Sequence, residues 1–242
     1  MTPATSTPIL AVDRLRSGYG RIPILNGVSF ALMAGQVVGV LGHNGMGKTT
    51  LMRTLIGHLP TTDGSIQLDG RDIAREPTHA RVRRGLGYIP QGREIFPQLS
   101  VLDNLRIGAA ARPEKEEEVI AAVLEDFPVL KRLLRRVGGT LSGGEQQILA
   151  IARCLSGAPR VILLDEPTEG IQPSIIESMT ERLLQLKTAR GLTMVLVEQN
   201  LDFVMALSDR VLVLQRGVIV QELDAKNLGD AETVDQIVGI DR

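Results

Sequence analysis

One cysteine, two tyrosines, four phenylalanines and no tryptophan occur in these 242 residues. Cys154 has no second cysteine to pair with, so an internal disulfide is excluded and a reducing cytosol fits. Among helical neighbours it reads as a small apolar packing group. An excess of either charge is missing too. Lys and Arg number 27, Asp and Glu 28, and a net charge of −1 gives no reason to expect nucleic acid as a partner. The longest apolar runs, such as Val37–Leu41, Val161–Leu164 and Met194–Val197, are strand-length; crossing a bilayer takes ~20 residues. Met1–Pro8 has neither the basic nor the apolar region of a signal peptide and is expected to be a frayed tail. No repeat or low-complexity segment was found. What remains is ordinary for a soluble globular chain, with 43% hydrophobic and 23% charged residues, long enough for one large domain or a core plus a subdomain.

Along the chain, Ile9–Leu15 and Ile24–Ala31 read as strands around a Gly18-Tyr19-Gly20 turn. Val37–Leu41, wholly apolar and β-branched-rich, reads as a strand buried on both faces of a parallel sheet. A helix is expected from Lys48 to about Gly57, and further strands at Ile66–Leu68 and Leu86–Ile89. From Gln91 to about Pro159 the pattern turns helical: one helix opens at Ser100 with Asp103, another runs Glu114–Glu125 and a third Pro128–Arg136. The run Glu116–Glu118 and the basic Lys131, Arg132, Arg135 and Arg136 read as solvated faces. Ile148, Ile151, Ala152 and Leu155 recur at helical spacing. Strand, helix and strand then alternate at Val161–Leu164, Pro173–Ala189 and Met194–Val197, followed by a strand pair around Arg216-Gly217. The alternation predicts a parallel α/β core with inserted helices.

Three stretches carry chemistry. Gly42-His43-Asn44-Gly45-Met46-Gly47-Lys48-Thr49, followed by Thr50, matches G-x-x-x-x-G-K-[ST] between a strand and a helix. Glycines let such a backbone wrap a polyphosphate, and the helix N-terminus adds attraction. Lys48 would reach the β and γ phosphates and the Thr49 hydroxyl would ligate Mg²⁺. Val161–Leu164 ends in Asp165-Glu166, two carboxylates at the carboxyl edge of a strand, which should point apart and do different work. Ser142-Gly143-Gly144-Glu145 has the spacing of a capping box.

In this order, the trio resembles the ATP-binding cassette (ABC) ATPases. The resemblance covers about residues 9–240. It implies a P-loop core of about 9–91 and 159–242, with a mostly parallel sheet and an antiparallel β subdomain, and a helical subdomain of about 92–158. It implies that ATP is bound by the loop residues 42–50 with Mg²⁺ held by Thr49, Asp165 and Gln91, and that Glu166 activates the attacking water. Tyr88-Ile89-Pro90-Gln91 matches the loop whose Gln touches Mg²⁺ and that water. Tyr19 matches the aromatic that stacks on adenine; packing on its strand neighbours is the other reading. Ser142, Gly143, Gly144 and Glu145 match the signature that binds the γ phosphate of ATP held by an opposing subunit. Most family members place a histidine two residues beyond the strand Met194–Val197; here Gln199 stands there, and Gln172 stands where the family usually has Asp.

Val197-Glu198-Gln199-Asn200 and Gln91–Pro97 resemble the ATPases of branched-chain amino acid importers. Within these, Asn44–Lys48, Gly92–Pro97 and Glu166–Ser174 most resemble the second ATPase subunit of urea importers. That resemblance implies uptake of urea or short amides, with branched-chain amino acids the alternative. It implies two membrane-spanning permeases, a second related ATPase or a second copy of this chain, and indirectly a periplasmic substrate-binding protein, with the chain peripheral on the inner face of the membrane. Translation-type ABC proteins carry two cassettes and repair-type ones a long coiled coil, neither of which is present; a P-loop kinase or GTPase is disfavoured by the Ser-Gly-Gly turn.

Overall fold

The computed structural model describes residues 7–110 and 112–224. Most of the expected N-terminal tail and everything after Asp224 lie outside them.

The chain begins with an antiparallel hairpin of β1 (Leu10–Tyr19) and β2 (Ile22–Leu32), then β3 (Val37–Leu41) and α1 (Lys48–Ile56). Next come β4 (Asp63–Leu68), β5 (Arg71–Asp72), α2 (Thr78–Arg83) and β6 (Leu86–Ile89). Helices α3 (Val101–Ala109), α4 (Glu116–Asp126), α5 (Pro128–Lys131) and α6 (Gly143–Ser156) follow without an intervening strand. The chain then alternates through β7 (Val161–Asp165), α7 (Pro173–Arg190), β8 (Met194–Val197) and α8 (Leu201–Leu207), and closes with the hairpin β9 (Arg210–Gln215) and β10 (Val218–Asp224).

Two sheets result. One is antiparallel, in the order β2-β1-β4-β5; the other has six strands in the order β10-β9-β3-β8-β7-β6. In the second, all neighbours pair parallel except β10 with β9. Alternate residues of its central strands feed two different cores. Val38, Val40, Leu163, Val195 and Val197 pack toward the antiparallel sheet and α1. Val37, Leu41, Ile162, Leu164, Met194 and Leu196 pack toward the helices. That two-sided burial is why these strands read as unbroken apolar runs, each buried aliphatic stabilising the fold by ~1.5–3 kcal/mol. Central parallel strands cannot slide without turning core residues outward, so their carboxyl ends fix the loops that follow.

Several local expectations change. The first hairpin turns at Gly20-Arg21, because Gly18 pairs with Pro23 and Tyr19 with Ile22. Gly18 is there for closeness: a Cβ would lie 2.1 Å from the Ile22 carbonyl oxygen. The strand expected at Ile66–Leu68 starts earlier, at Asp63. Residues 92–99, inside the expected helical region, form no helix. The helix expected over Pro128–Arg136 stops at Lys131. Beyond it the carbonyls of Leu134 and Arg136 accept from the Leu102 and Val101 amides. The first amides of α3, which have no partner within their own helix, thus find acceptors in the segment after α5.

Candidate functional site

The loops after β3, β6, β7 and β8 converge at one edge of the six-stranded sheet. Leu41 leads into the glycine-rich loop, which passes into α1 through Gly47 at φ 104, a conformation that suits only glycine. α1 has no side-chain cap, so its first amides are available to an anion. Lys48 is buried, and its ammonium donates to the carbonyls of Gly42 (2.7 Å) and His43 (3.1 Å) and lies 3.5 Å from Glu166 Oε1. The lysine closes the loop from inside and presents its charge where phosphates would sit.

Asp165 ends β7 and is fully buried. Its carboxylate accepts from the Tyr88 hydroxyl at 3.2 Å and from Thr49 Oγ1 at 3.4 Å. Burial raises its pKa to about 6, with the Tyr88 hydrogen bond pulling the other way and the charge of Glu166 adding to the rise. The same burial raises the Tyr88 hydroxyl. An acid held dry beside a hydroxyl and opposite a polyphosphate loop suits a hard cation. The paired oxygens of Thr49 and Asp165 fit Mg²⁺, which takes few protein ligands and keeps water and phosphate oxygens. Among the described residues no group of three His, Cys, Asp or Glu side chains is placed to hold a metal.

Glu166 departs from the strand. It takes φ +47, a sparsely populated backbone for a residue with a Cβ and one that recurs at functional positions. This bend, rather than strand alternation, separates its side chain from that of Asp165. Its Oε2 accepts from Gln91 Nε2 at 3.0 Å and its Oε1 from Gln199 Nε2 at 3.1 Å. Gln199 also donates to Asn44 Oδ1 at 2.9 Å, and Gln91 to Glu169 Oε2 at 2.9 Å. Gln91, read from the sequence as a metal ligand, therefore turns its amide nitrogen to two carboxylates here. One carboxylate is gripped by a cation and two amides from three other segments of the chain.

Tyr19 ends β1 half-exposed, beside Arg53; the two tyrosine hydroxyls, Tyr19 first, hold that guanidinium charged. The turn Ser142–Glu145 stands outside the hydrogen-bond network around Glu166. It is a complete capping box: Ser142 Oγ accepts from the Glu145 amide at 3.3 Å, and Glu145 Oε2 from the Ser142 amide at 2.8 Å. That second bond holds the Glu145 carboxyl below its ordinary pKa. Arg93 covers the turn, and a Cβ on Gly143 would come within 3.1 Å of its guanidinium. Arg93 also reaches Gln146 Oε1 (3.4 Å) and the Gly170 carbonyl (3.5 Å). Cys154, on α6, has its thiol pushed up to about 12 by burial, and is inert packing.

The sequence reading missed the roles of Tyr88, Arg93 and Glu198. Tyr88 gave a weak signal, as one of two tyrosines and lying at the end of a strand; the partners of Arg93 and the Thr168 partner of Glu198 are distant in sequence.

A phosphate loop after β3, a carboxylate pair at the end of β7 one strand removed, and an inserted helical segment whose α6 opens on a capped signature turn define a P-loop ATPase of the cassette type. The chain belongs to the ABC transporter family, whose model matches residues 25–169. It is 39% identical, over 88% of its length and 91% of the relative's, to the high-affinity branched-chain amino acid transport ATP-binding protein BraG of Pseudomonas aeruginosa. It is 35% identical to the lipopolysaccharide export system ATP-binding protein LptB of Escherichia coli, covering 87% of this chain and 88% of that one. The ADP conformation of an ATP-binding cassette of an ABC transporter superposes with a TM-score of 0.84 at 28% identity, covering 96% of this chain and 99% of the other. The family hydrolyses ATP coupled to transport, works with transmembrane permease subunits, and dimerises. Among the described residues no helix is long and apolar enough to cross a membrane.

Proposed function

We propose that this chain is the ATPase of a solute importer, with branched-chain amino acids as the cargo and Glu166 as the residue that activates water. The observation that carries the chemistry is the grip on Glu166 by Lys48, Gln91 and Gln199. A carboxylate so held is oriented to accept a proton from a water attacking the γ phosphate. Residues 42–50, with Lys48, hold the ATP phosphates, and Tyr19 meets the adenine. Thr49 and Asp165, with Gln91 beside them, hold the Mg²⁺, which when bound offsets charge developing on the phosphates. Ser142, Gly143, Gly144 and Glu145 serve the ATP of an opposing subunit, either a related ATPase or a second copy. In this reading the core is 9–91 with 159–242, the helical subdomain is 92–158, and no nucleic acid is involved.

A partner surface supports the transport reading. Exposed Val82, Phe96 and Ile107 rim a groove of 380 Å³ that also includes Glu94 and Arg153. Contiguous apolar exposure with a charged rim marks a protein contact, here the permease, which holds the chain on the inner face of the membrane; a periplasmic binding protein acts only through it.

The identity with BraG supports branched-chain amino acids. Urea or short amides form the second reading, favoured by the stretches Asn44–Lys48, Gly92–Pro97 and Glu166–Ser174; the last two meet where Arg93 reaches the Gly170 carbonyl. Deleting the gene and measuring uptake of labelled leucine and labelled urea at low concentration separates them. Lost leucine uptake with intact urea uptake is expected, restored by the wild-type chain but not by Glu166→Gln. The reverse pattern selects urea, and no change in either overturns both.

A further inference from the structure

Glu198 is nearly fully buried, and among the described residues no lysine or arginine pairs with it. A carboxylate taken out of water without a cation needs hydrogen-bond donors on its oxygens. Four are present. Oε1 accepts from the Thr168 amide at 2.8 Å and the Thr168 hydroxyl at 2.5 Å. Oε2 accepts from the Gln199 amide at 2.7 Å and the Asn200 amide at 3.0 Å. One oxygen thus serves the loop after β7 and the other the loop after β8.

Both loops carry parts of the site. Thr168 follows Glu166 by two residues, and Gln199 donates to Glu166 and Asn44. The strained backbone of Glu166 has one further tie, from its amide to the Val197 carbonyl at 2.8 Å. We propose that Glu198 is a positioning residue for hydrolysis, its carboxylate joining the loop 167–172 to the loop 198–200 so that Gln199 and Glu166 keep their mutual geometry. Glu198 touches no reacting atom; it acts through Gln199 and Thr168. The assignment rests on the reading that this face hydrolyses ATP.

The test uses Glu198→Gln in the full-length chain. The substitution keeps the shape but replaces one doubly accepting oxygen by a donor, so one loop must let go. Without nucleotide, hydrogen exchange at the Thr168, Gln199 and Asn200 amides is expected to quicken by about tenfold or more, the scale of a lost hydrogen bond to a charged group. In single turnover with protein in excess of ATP, hydrolysis is expected to slow by roughly tenfold or more, as misplaced catalytic groups do. ATP affinity should stay within about twofold, because the phosphate loop is untouched. In a Gln199→Ala background the further loss should be under about threefold, since residues acting as a unit are not additive. Unchanged exchange, an unchanged rate, or a full multiplicative loss in that background would each overturn the assignment. If Glu198→Gln does not fold, Thr168→Val removes the shortest of the four bonds, and an unchanged rate there has the same force. A wild-type chain with no ATPase sinks the functional reading instead, whereas a working wild type with an equally active Glu198→Gln sinks only this inference.

Discussion

Two helices start at loops that the functional reading assigns to phosphate, and their first turns are built differently. α1 follows Gly47 with no side-chain cap, whereas α6 begins with Ser142 and Glu145 closed into a full capping box. An uncapped start leaves all its first amides for a ligand, whereas the box takes the Ser142 and Glu145 amides and fixes the turn before any ligand arrives. Ser142 Oγ accepts through a long 3.3 Å bond, and its hydroxyl also helps hold the Glu145 carboxyl below its ordinary pKa. On the proposed reading the first loop, with a buried lysine inside it, would recruit nucleotide. The second would stand formed without nucleotide and meet it afterwards.

The largest effect should come from the recruiting loop. Lys48→Ala is expected to weaken ATP binding to the isolated chain by on the order of 10²-fold, the scale of charge-assisted hydrogen bonds to phosphate. Ser142→Ala should leave that affinity unchanged in calorimetry. Equal losses in both variants would erase the distinction.

Gln199→Ala should come next. It removes the amide that spans Asn44 and Glu166, and turnover is expected to fall by about tenfold while ATP affinity holds. Full activity would show Gln199 to be a bystander.

A smaller effect concerns stability. Burial raises the Asp165 carboxyl to about 6 from an ordinary 3.8. The folded chain thus binds this proton more tightly than the unfolded one, so stability is lost as pH rises through about 4 to 6 and stays lost above it. Asp165→Asn removes the buried charge. Its nucleotide-free Tm should rise by a few degrees near about pH 7.5 and show no gain near about pH 4. An equal gain at both values would contradict the burial account.

The smallest effect is at the capped helix. Ser142→Ala should cost ~1 kcal/mol, read as about 2–4 °C in Tm. A Gly47 substitution offers no matching comparison, because φ 104 would strain any other residue.

What could be read in advance follows the physics of each element. β3 and β8 appear with the boundaries expected of them, because strands buried on both faces leave unbroken apolar runs; β6, at the sheet edge and buried only at its two ends, also keeps its expected boundaries. The Ser142 box was legible because its two partners are three residues apart. The end of α5 was not, because the segment after it docks on the first amides of α3, some thirty residues upstream. The two carboxylates were visible as a pair, but the φ +47 bend that turns Glu166 away from Asp165 is invisible in a strand pattern. Tyr88 lies 77 residues from Asp165, and Glu198 lies 30 from Thr168. Neither contact has a local signature, so only the folded loops disclose them.

The central claim is that Glu166 works on water while Lys48 and the loop hold the nucleotide. The most direct measurement compares ATP affinity, ATP turnover and self-association of wild type and Glu166→Gln. The account predicts unchanged affinity, turnover lower by ~10²-fold or more, and more dimer by sedimentation with ATP than with ADP. Turnover near the wild-type rate in Glu166→Gln would contradict it.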